Sequence, residues 1–542
     1  MAYLQIKTKD GAKRFLVDGA GVTIGRQLGN IIHINDDMAS RFHAIVEPAG
    51  ENIHVKDLDS RNGLKVNGQV AKQQALSDGD VIQIGRTKIV FRTGQTEAVE
   101  NQLKHFADES TDQPQTALQS LAESLPSKSF NIADLQVLNT RGQVVHGSQA
   151  KDEDGKKAPG EAVTLLRLIL LVCFRTRASD IHIEPKSEHT LVRVRIDGTM
   201  VDIAKLKADV GHRLGTVVKV LCDIDLHGKN VVQEGSFAAK VPDRRVDYRV
   251  SFSPSVSGQK LVIRVLDEAN APRYMWELGL PEPVFKALDK SMKRDAGTVI
   301  VCGPTGSGKT ATLYATLRSI DQNERNVVTI EDPVEIRLEG ITQMPVDEDK
   351  GNTFAELLRS TLRQDPDVIL VGEIRDSETA TTAIQAAMTG HLVFSTIHAR
   401  DTVGSIFRLQ DLGVEPYALA NGLQNLIAQR LVRKLCSHCK VAKPLSEDDK
   451  EVLGEKAEGV STIYKEHGCR RCLGTGFAGR CGVYELLTVT DDVRDAIASG
   501  AGQAAVLEAL KSTKFRRLRD AGNDLVVEGV TTLDEIDRVL GS

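Results

Sequence analysis

The chain has 542 residues, 41% hydrophobic, 26% charged and 4% aromatic, with a formal net charge of −5. At roughly 150 residues per domain, this length predicts three to four folded units, and the apolar share excludes a disordered or fibrous chain. The small negative charge and scarce aromatics supply no basic, stacking stripe of the kind that tracks nucleic acid, which disfavours a nucleic-acid translocase. Residues 1–10 hold no apolar signal core. The most apolar run, Ala162 to Phe174, is interrupted by Arg167 and falls short of the ~20 residues that span a bilayer. A soluble, cytoplasmic protein without a transmembrane segment is expected. Four of the eight cysteines fall in two C-x-x-C pairs, which in a cytosolic chain favours metal binding over disulfides.

Residues 1–95 alternate short strand-like runs with turns. The runs include Val22-Thr23-Ile24, Ala44-Ile45-Val46, Ile53-His54-Val55 and Val81-Ile82-Gln83-Ile84; the turns are Arg61-Asn62-Gly63, Asn67-Gly68 and Asp78-Gly79-Asp80. Closely spaced strands of this kind predict a β-sandwich. Three pieces resemble the forkhead-associated (FHA) family: Gly25-Arg26, Ser40-Arg41-Phe42-His43, and Asp57-Leu58-Asp59-Ser60-Arg61-Asn62-Gly63 with Val66-Asn67-Gly68. The resemblance implies a domain that binds phosphothreonine peptides at one end of the sandwich. Arg26 and Ser40 would bind the phosphate, Arg41 would flank it, and Asn62 would hold the peptide backbone. A phosphate dianion suits a forked guanidinium and a short hydroxyl donor. Arg61 departs from the family pattern, which often has Thr there. An FHA-shaped adaptor that binds without phosphate is the alternative, because fold alone does not fix function. His43 reads as a packing residue.

Residues 96–126 shift to Gln, Thr, Ser, Asp and Glu and read as a linker. Residues 127–159 contain a weak strand-like stretch, Leu135-Gln136-Val137-Leu138, before the charged run 151–157, and stay unassigned. From Glu161 to about Thr176 the pattern predicts a helix with one strongly apolar face. Strand-like segments follow, among them Ala178-Ser179-Asp180-Ile181-His182-Ile183-Glu184-Pro185, then Val192-Arg193-Val194-Arg195-Ile196. Alternation puts Arg193 and Arg195 on one face. With Val246–Ser251 and Val262–Asp267, these predict an α+β domain over 160–270 with basic residues on several strands.

The stretch Cys302-Gly303-Pro304-Thr305-Gly306-Ser307-Gly308-Lys309-Thr310 fits G-x-x-x-x-G-K-[ST]. A strand-like Thr298-Val299-Ile300-Val301 precedes it and a helical Ala311–Leu317 follows. This is the setting a phosphate-binding loop needs. Glycines admit the backbone close to a triphosphate, and the loop N–H groups with the helix N-terminus face its charge. Lys309 is expected to reach the β- and γ-phosphates of ATP, and Thr310 to offer its hydroxyl to Mg²⁺. Downstream, Val327-Val328-Thr329-Ile330 runs into Glu331-Asp332-Pro333-Val334-Glu335; Val368-Ile369-Leu370-Val371 runs into Gly372-Glu373; and His391 and His398 bracket Leu392–Ile397. Carboxylates at strand ends beside such a loop lie near the nucleotide. Cys436-Ser437-His438-Cys439 and Cys469-Arg470-Arg471-Cys472 have the spacing of a closed four-thiolate zinc site, a structural one because no position stays open. Cys481 reads as packing, and His438 as a weaker ligand candidate.

From about residue 160 onward these motifs together resemble the type II secretion and type IV pilus assembly ATPase family. The resemblance implies that Glu335 polarises the attacking water, that Glu373 acts on Mg²⁺, and that Glu331 and Asp332 order metal-bound water. It implies that His391 and His398 couple nucleotide state to a neighbouring subunit, and that Arg195, Arg249 and Arg264 neutralise phosphates. A solvated strand face is the alternative for each single arginine. Gln233-Glu234-Gly235 and Gly258-Gln259 depart mildly from the family's Gln-Asp-Gly and Gly-Glu. The paired cysteines mark the assembly and secretion branch, and an FHA module stands where the usual platform-docking domain would be.

The expected architecture is therefore multidomain. An all-β FHA sandwich (1–95), a linker and unassigned segment (96–159) and an α+β domain (160–270) lead into a RecA-like α/β P-loop motor (271–542). The motor includes the cysteine insertion (436–472) and C-terminal helices. The expected function is a homohexameric ATPase, peripheral to the inner membrane on its cytoplasmic side, that works with platform and docking proteins and is regulated through a phosphothreonine partner. A scaffold that binds ATP without turnover is the alternative; the set Lys309, Glu335 and Glu373 argues against it.

Overall fold

The computed structural model describes residues 2–541 except 9–10, 18–20, 28–29, 50–51, 94–112, 126–129, 146–149, 152–156, 159, 229 and 271. Most of the linker expected over 96–126 and of the charged run 151–157 lies outside the described residues. Contacts divide the chain into two units: Met1–Glu268 with Leu435–Lys450 and Gly459–Gly479, and Ala269–Lys434 with Glu451–Glu458 and Arg480–Ser542.

The first unit begins with a sandwich. One sheet has the order Gly11–Val17, Ala2–Thr8, Thr87–Thr93, Val81–Ile84, Leu64–Val66, Gln69–Ala71; the other has Ile32–His33, Val22–Gly25, Ala44–Ala49, Asn52–Asp57, Gln73–Ala75. Period-two alternation builds its core. Leu64 and Val66 point in while Lys65 is exposed, and Leu4, Ile82 and Phe91 meet Ile24, Val46 and Val55 across the gap. Val66 pairs with Gln69, so Asn67 (φ 50°) and Gly68 (φ 86°) form a two-residue turn with both φ positive. That handedness matches strand twist, which is why Asn-Gly is favoured there.

The α+β part is a seven-stranded sheet ordered Gln136–Leu138, Gln233–Lys240, Arg245–Ser255, Gly258–Leu266, Asp180–Pro185, His189–Ile196, Thr199–Lys207. The unassigned stretch around Leu135 thus supplies an edge strand, antiparallel to Gln233–Lys240. Helix Glu161–Thr176 forms as predicted, but it is apolar on more than one face. Helix Pro114–Ser124, inside the segment read as linker, packs on it, and its Leu118 and Leu121 share one core with Leu165, Leu166 and Ile169. The cysteine-bearing segment belongs to this unit by its contacts, although the motor sequence flanks it. Leu473 joins the same core, and the Gly479 N–H donates to Asp197 at 2.7 Å.

The second unit is built on a sheet ordered Thr342–Pro345, Val327–Glu331, Val368–Val371, Leu392–Ile397, Gly297–Cys302, Leu423–Leu435, Phe477–Thr488. From Thr342–Pro345 to Leu423–Leu435 the pairings are parallel. Strands Gly297–Cys302, Val327–Glu331, Val368–Val371 and Leu392–Ile397 are buried along their whole length, as expected where helices cover both faces. Helices Asp491–Ala498, Gln503–Leu510, Leu518–Val527 and Leu533–Leu540 follow. No described helix is long and apolar enough to cross a membrane.

Candidate active site and accessory binding sites

The phosphate loop leaves the end of strand Gly297–Cys302 and enters helix Lys309–Leu317. Gly303, Gly306 and Gly308 all have positive φ (154°, 79° and 88°). A Cβ on Gly303 would sit 2.6 Å from the Gln429 carbonyl oxygen, and one on Gly308 2.8 Å from Gln429 Nε2. Glycine is required at Gly303 by conformation and by space, and at Gly308 by conformation. No side chain caps the helix N-terminus, so its first N–H groups stay available to an anion. Among the described residues, Ser307 Oγ is buried without a partner. The half-buried Lys309 donates to the carbonyls of Gly303 (2.9 Å) and Pro304 (3.2 Å). Burial pushes its pKa down, and the Glu373 carboxylate opposes that. A cation folded on its own loop's carbonyls beside an orphan hydroxyl and uncapped amides fits a polyphosphate.

Around the loop, His398 Nε2 lies 2.9 Å from Glu373 Oε1, and Arg375 binds Glu373 Oε2 at 2.9 Å and Asp332 at 3.5 Å. The strand ends thus bring His398, Glu373, Arg375 and Asp332 together. Thr310 and Glu335 are exposed. Glu331 is turned into the core, where it accepts from Thr329 Oγ1 (2.6 Å), Gln343 Nε2 (3.0 Å) and the Tyr314 hydroxyl. His391 Nδ1 lies 3.0 Å from the Ala386 carbonyl. Since a carbonyl only accepts, that nitrogen carries the proton, and the ring faces the end of helix Ser377–Met388.

Sequence reasoning missed three residues here. Tyr314 lies on the phosphate-binding helix; its hydroxyl meets Glu331 and the backbone N–H groups of Glu335 and Ile336. Gln429 and Arg430 sit behind the loop. Gln429 Oε1 accepts from Thr312 at 2.8 Å, and the buried Arg430 donates to the Gln429 (2.9 Å) and Arg400 (2.6 Å) carbonyls. Gly303, His398, Arg400 and Arg430 line one cavity of about 470 Å³. The signal was a polar Gln-Arg pair set between the apolar runs Leu426-Ile427-Ala428 and Leu431-Val432.

In the α+β sheet, register aligns Arg195, Asp180, Arg264 and Arg249 in one transverse row. Asp180 pairs with Arg195 (3.6 Å) and Arg264 (3.3 Å), while Arg249 is exposed. On the same face of the Asp180–Pro185 strand, Glu184 is buried, which would raise its pKa. Hydrogen bonds from Arg193, Lys186 and Lys260 overcome burial and hold it at about 2.

The four cysteines converge. Sγ separations are 4.0 Å (Cys436–Cys469), 3.8 Å (Cys439–Cys472) and 3.7 Å (Cys469–Cys472), and all four sulfurs lie within 4.8 Å of one another. Thiolates ~2.3 Å from a tetrahedral zinc stand about 3.8 Å apart, so the donor set fits Zn²⁺. Cys481 is not in the cluster.

At the loop end of the sandwich, Arg26, Ser40, Arg41, Asn62, Arg61 and Asp37 line one cavity of about 720 Å³. Gly25 permits the close approach: a Cβ there would lie 2.3 Å from the Arg41 carbonyl oxygen. Asn62 Nδ2 donates to the Met38 carbonyl at 2.7 Å. His43 is fully buried. Its Nδ1 accepts from the Ser40 N–H (3.0 Å), so Nε2 carries the proton toward the Gly63 carbonyl (3.0 Å). One ring thereby ties together two of the three loop segments that line the pocket, those carrying Ser40 and Asn62.

A phosphate loop on a parallel sheet, with a carboxylate at the end of Val368–Val371, one strand removed from the loop's own strand, defines a P-loop nucleotide hydrolase of the RecA-like class. The sequence matches the family described as Type II/IV secretion system protein over residues 156–538, and the FHA domain over residues 22–85. It is 42% identical to the type II secretion system protein E of Klebsiella pneumoniae over 377 residues, covering 70% of this chain and 75% of that protein. It is 38% identical to the type IV pilus assembly ATPase PilB of Myxococcus xanthus over 392 residues, covering 71% and 69%. Among solved structures, the Legionella pneumophila ATPase DotB shares the fold, with a TM-score of 0.50 at 21% identity over 69% of this chain and 94% of that one. The chain belongs to the type II/IV secretion ATPase family, with an N-terminal FHA domain, and it is an ATPase.

Proposed function

We propose that this chain is a hexameric motor. It hydrolyses ATP on the cytoplasmic face of the inner membrane to drive type II secretion or the assembly of type IV pili or pseudopili, and it answers to a phosphothreonine partner through its FHA domain. Its similarity to secretion protein E and to a pilus assembly ATPase supports the task. The observation that carries the motor reading is the His398–Glu373–Arg375 cluster beside an uncapped phosphate loop. Residues 303–310 bind the ATP phosphates, and Thr310 with Glu373 holds Mg²⁺, which neutralises charge on the transferring group. Glu335 is the base that directs water. Glu331 and Asp332 are coupling residues, and His398 and His391 report nucleotide state. Arg195, Arg249 and Arg264 supply phosphate-neutralising charge. Cys436, Cys439, Cys469 and Cys472 hold a structural zinc, while Arg26, Ser40, Arg41 and Asn62 hold the phosphopeptide. Membrane platform proteins and cytoplasmic docking proteins of the machine are its partners.

The test is steady-state ATP turnover of the purified protein against Glu335→Gln and Glu373→Gln, with oligomeric state and zinc content measured on the same samples. Loss of a base or metal-directing carboxylate is expected to lower kcat by roughly 10²–10⁴-fold while the assembled, zinc-loaded state persists. Undiminished turnover in Glu335→Gln would remove it from the chemistry. A particle other than a hexamer under turnover conditions would remove the ring.

A further inference from the structure

The pocket at the loop end of the sandwich holds one cation more than the phosphate reading uses. Arg26 and Arg41 supply two guanidinium groups for a phosphothreonine, which carries about −1.5 to −2 charges at neutral pH. Arg61 supplies a third in the same lining. Its position is fixed from below: the Arg61 backbone N–H donates to Ser40 Oγ at 3.0 Å. That bond occupies an acceptor site on the hydroxyl and leaves its O–H free to donate to an anion. It also pins the Arg61 backbone beside the phosphate-binding side chain. The Arg61 side chain itself is exposed and makes no ion pair among the described residues. Asp37, the one carboxylate of the lining, makes none either.

We propose that this domain selects a phosphothreonine peptide bearing a second anionic side chain, and that Arg61 is the residue that reads it. The inference rests on the phosphothreonine reading above. An extended peptide rises ~3.3 Å per residue with alternate side chains on one face. A group two residues from the phosphothreonine therefore lies about 7 Å along the chain, within the span of an arginine anchored beside Ser40. The planar guanidinium suits a carboxylate or a second phosphate, which it binds through two parallel hydrogen bonds. Aspartate, glutamate and a neighbouring phosphorylated residue share this chemistry.

The experiment is fluorescence anisotropy on the full-length protein with a set of phosphothreonine peptides. Each flanking position within three residues is in turn Asp, phosphoserine, Ala or Lys. At one position the acidic peptides are expected to bind roughly fivefold tighter than the Ala peptide, as an exposed but well-aligned ion pair allows, and the Lys peptide weaker. The advantage should shrink as salt is raised. Arg61→Thr should bring the Asp, Ala and Lys peptides to one affinity, and Arg61→Lys should restore part of the preference. A preference that persists in Arg61→Thr, or its absence at every position, overturns the proposal while phosphothreonine binding stands. If phosphorylated and unphosphorylated peptides bind alike, the underlying phosphothreonine reading falls with it, so the two failures are distinct.

Discussion

Tyr314 shows how a single hydroxyl links two parts of the motor. It leaves the phosphate-binding helix, donates to the buried Glu331, and meets the backbone N–H groups of Glu335 and Ile336. Burial and the adjacent carboxylate push its pKa up, so it remains a donor. Glu331 is the better-held carboxylate of its segment, with three donors on its two oxygens, whereas Glu335 is exposed. Through Tyr314, the helix that follows the phosphate loop is tied both to Glu331 and to the backbone of the segment that carries Glu335. Tyr314→Phe removes one donor from a buried carboxylate, at a cost of about 1–3 kcal/mol. It is expected to lower Tm by differential scanning fluorimetry and to reduce kcat more than it changes KM. A normal kcat with only a lowered Tm would confine Tyr314 to stability.

At the scale of the element, the cysteine segment is the clearest case of covalent geometry standing in for a core. Its paired strands Val441–Pro444 and Thr462–Lys465 rest on a small cluster of Leu435, Ala442, Tyr464 and Phe477. So little buried area does not order some forty residues unaided; a zinc on the four thiolates, as proposed above, would supply the missing free energy. Chelation, or Cys439→Ser, is expected to release one zinc per chain and open 435–479 to protease. Zinc content by mass spectrometry and limited proteolysis check this. An intact digestion pattern after complete zinc loss would make the metal dispensable. Helix Pro114–Ser124 makes the complementary point, because without it the apolar helix Glu161–Thr176 would show Leu118's and Leu121's contact surface to water. A helix buried on more than one side is explained by a partner that composition alone had marked as linker.

Across the whole molecule, each unit holds a buried carboxylate clamped by cations. In the first, Glu184 is surrounded by Arg193, Lys186 and Lys260. In the second, Glu535 accepts from Arg433 and Arg538. Burial would raise both pKa values, but the hydrogen bonds hold each at about 2, below the ordinary 4.5. A folded-state pKa below the unfolded one stabilises the fold above pH 4.5, and that stability is lost as pH falls toward 2. Denaturant midpoints measured from pH 7 to pH 2 should therefore decline steeply below 4.5. Glu184→Gln and Glu535→Gln should start lower at neutral pH and fall less on acidification. A wild-type midpoint unchanged through that window would contradict the assignment.

The sequence alone determined whatever depends on contiguous spacing. The phosphate loop, the two C-x-x-C knuckles and the Asn67-Gly68 turn are legible because each chemistry is set by neighbours along the chain. The four central strands of the motor were legible as short, mostly apolar runs, and the FHA pocket from three short motifs. Tertiary structure alone decided which of these residues meet. It placed Gln429 and Arg430 behind Gly303, drew His398 onto Glu373, and turned Glu331 and His391 away from that cluster. It tied the cysteine segment to the α+β unit rather than to the sequence that flanks it. It also aligned Arg195, Asp180, Arg264 and Arg249 in one row. These outcomes follow from strand order and register, which depend on contacts between residues far apart in the chain and leave no local pattern to read.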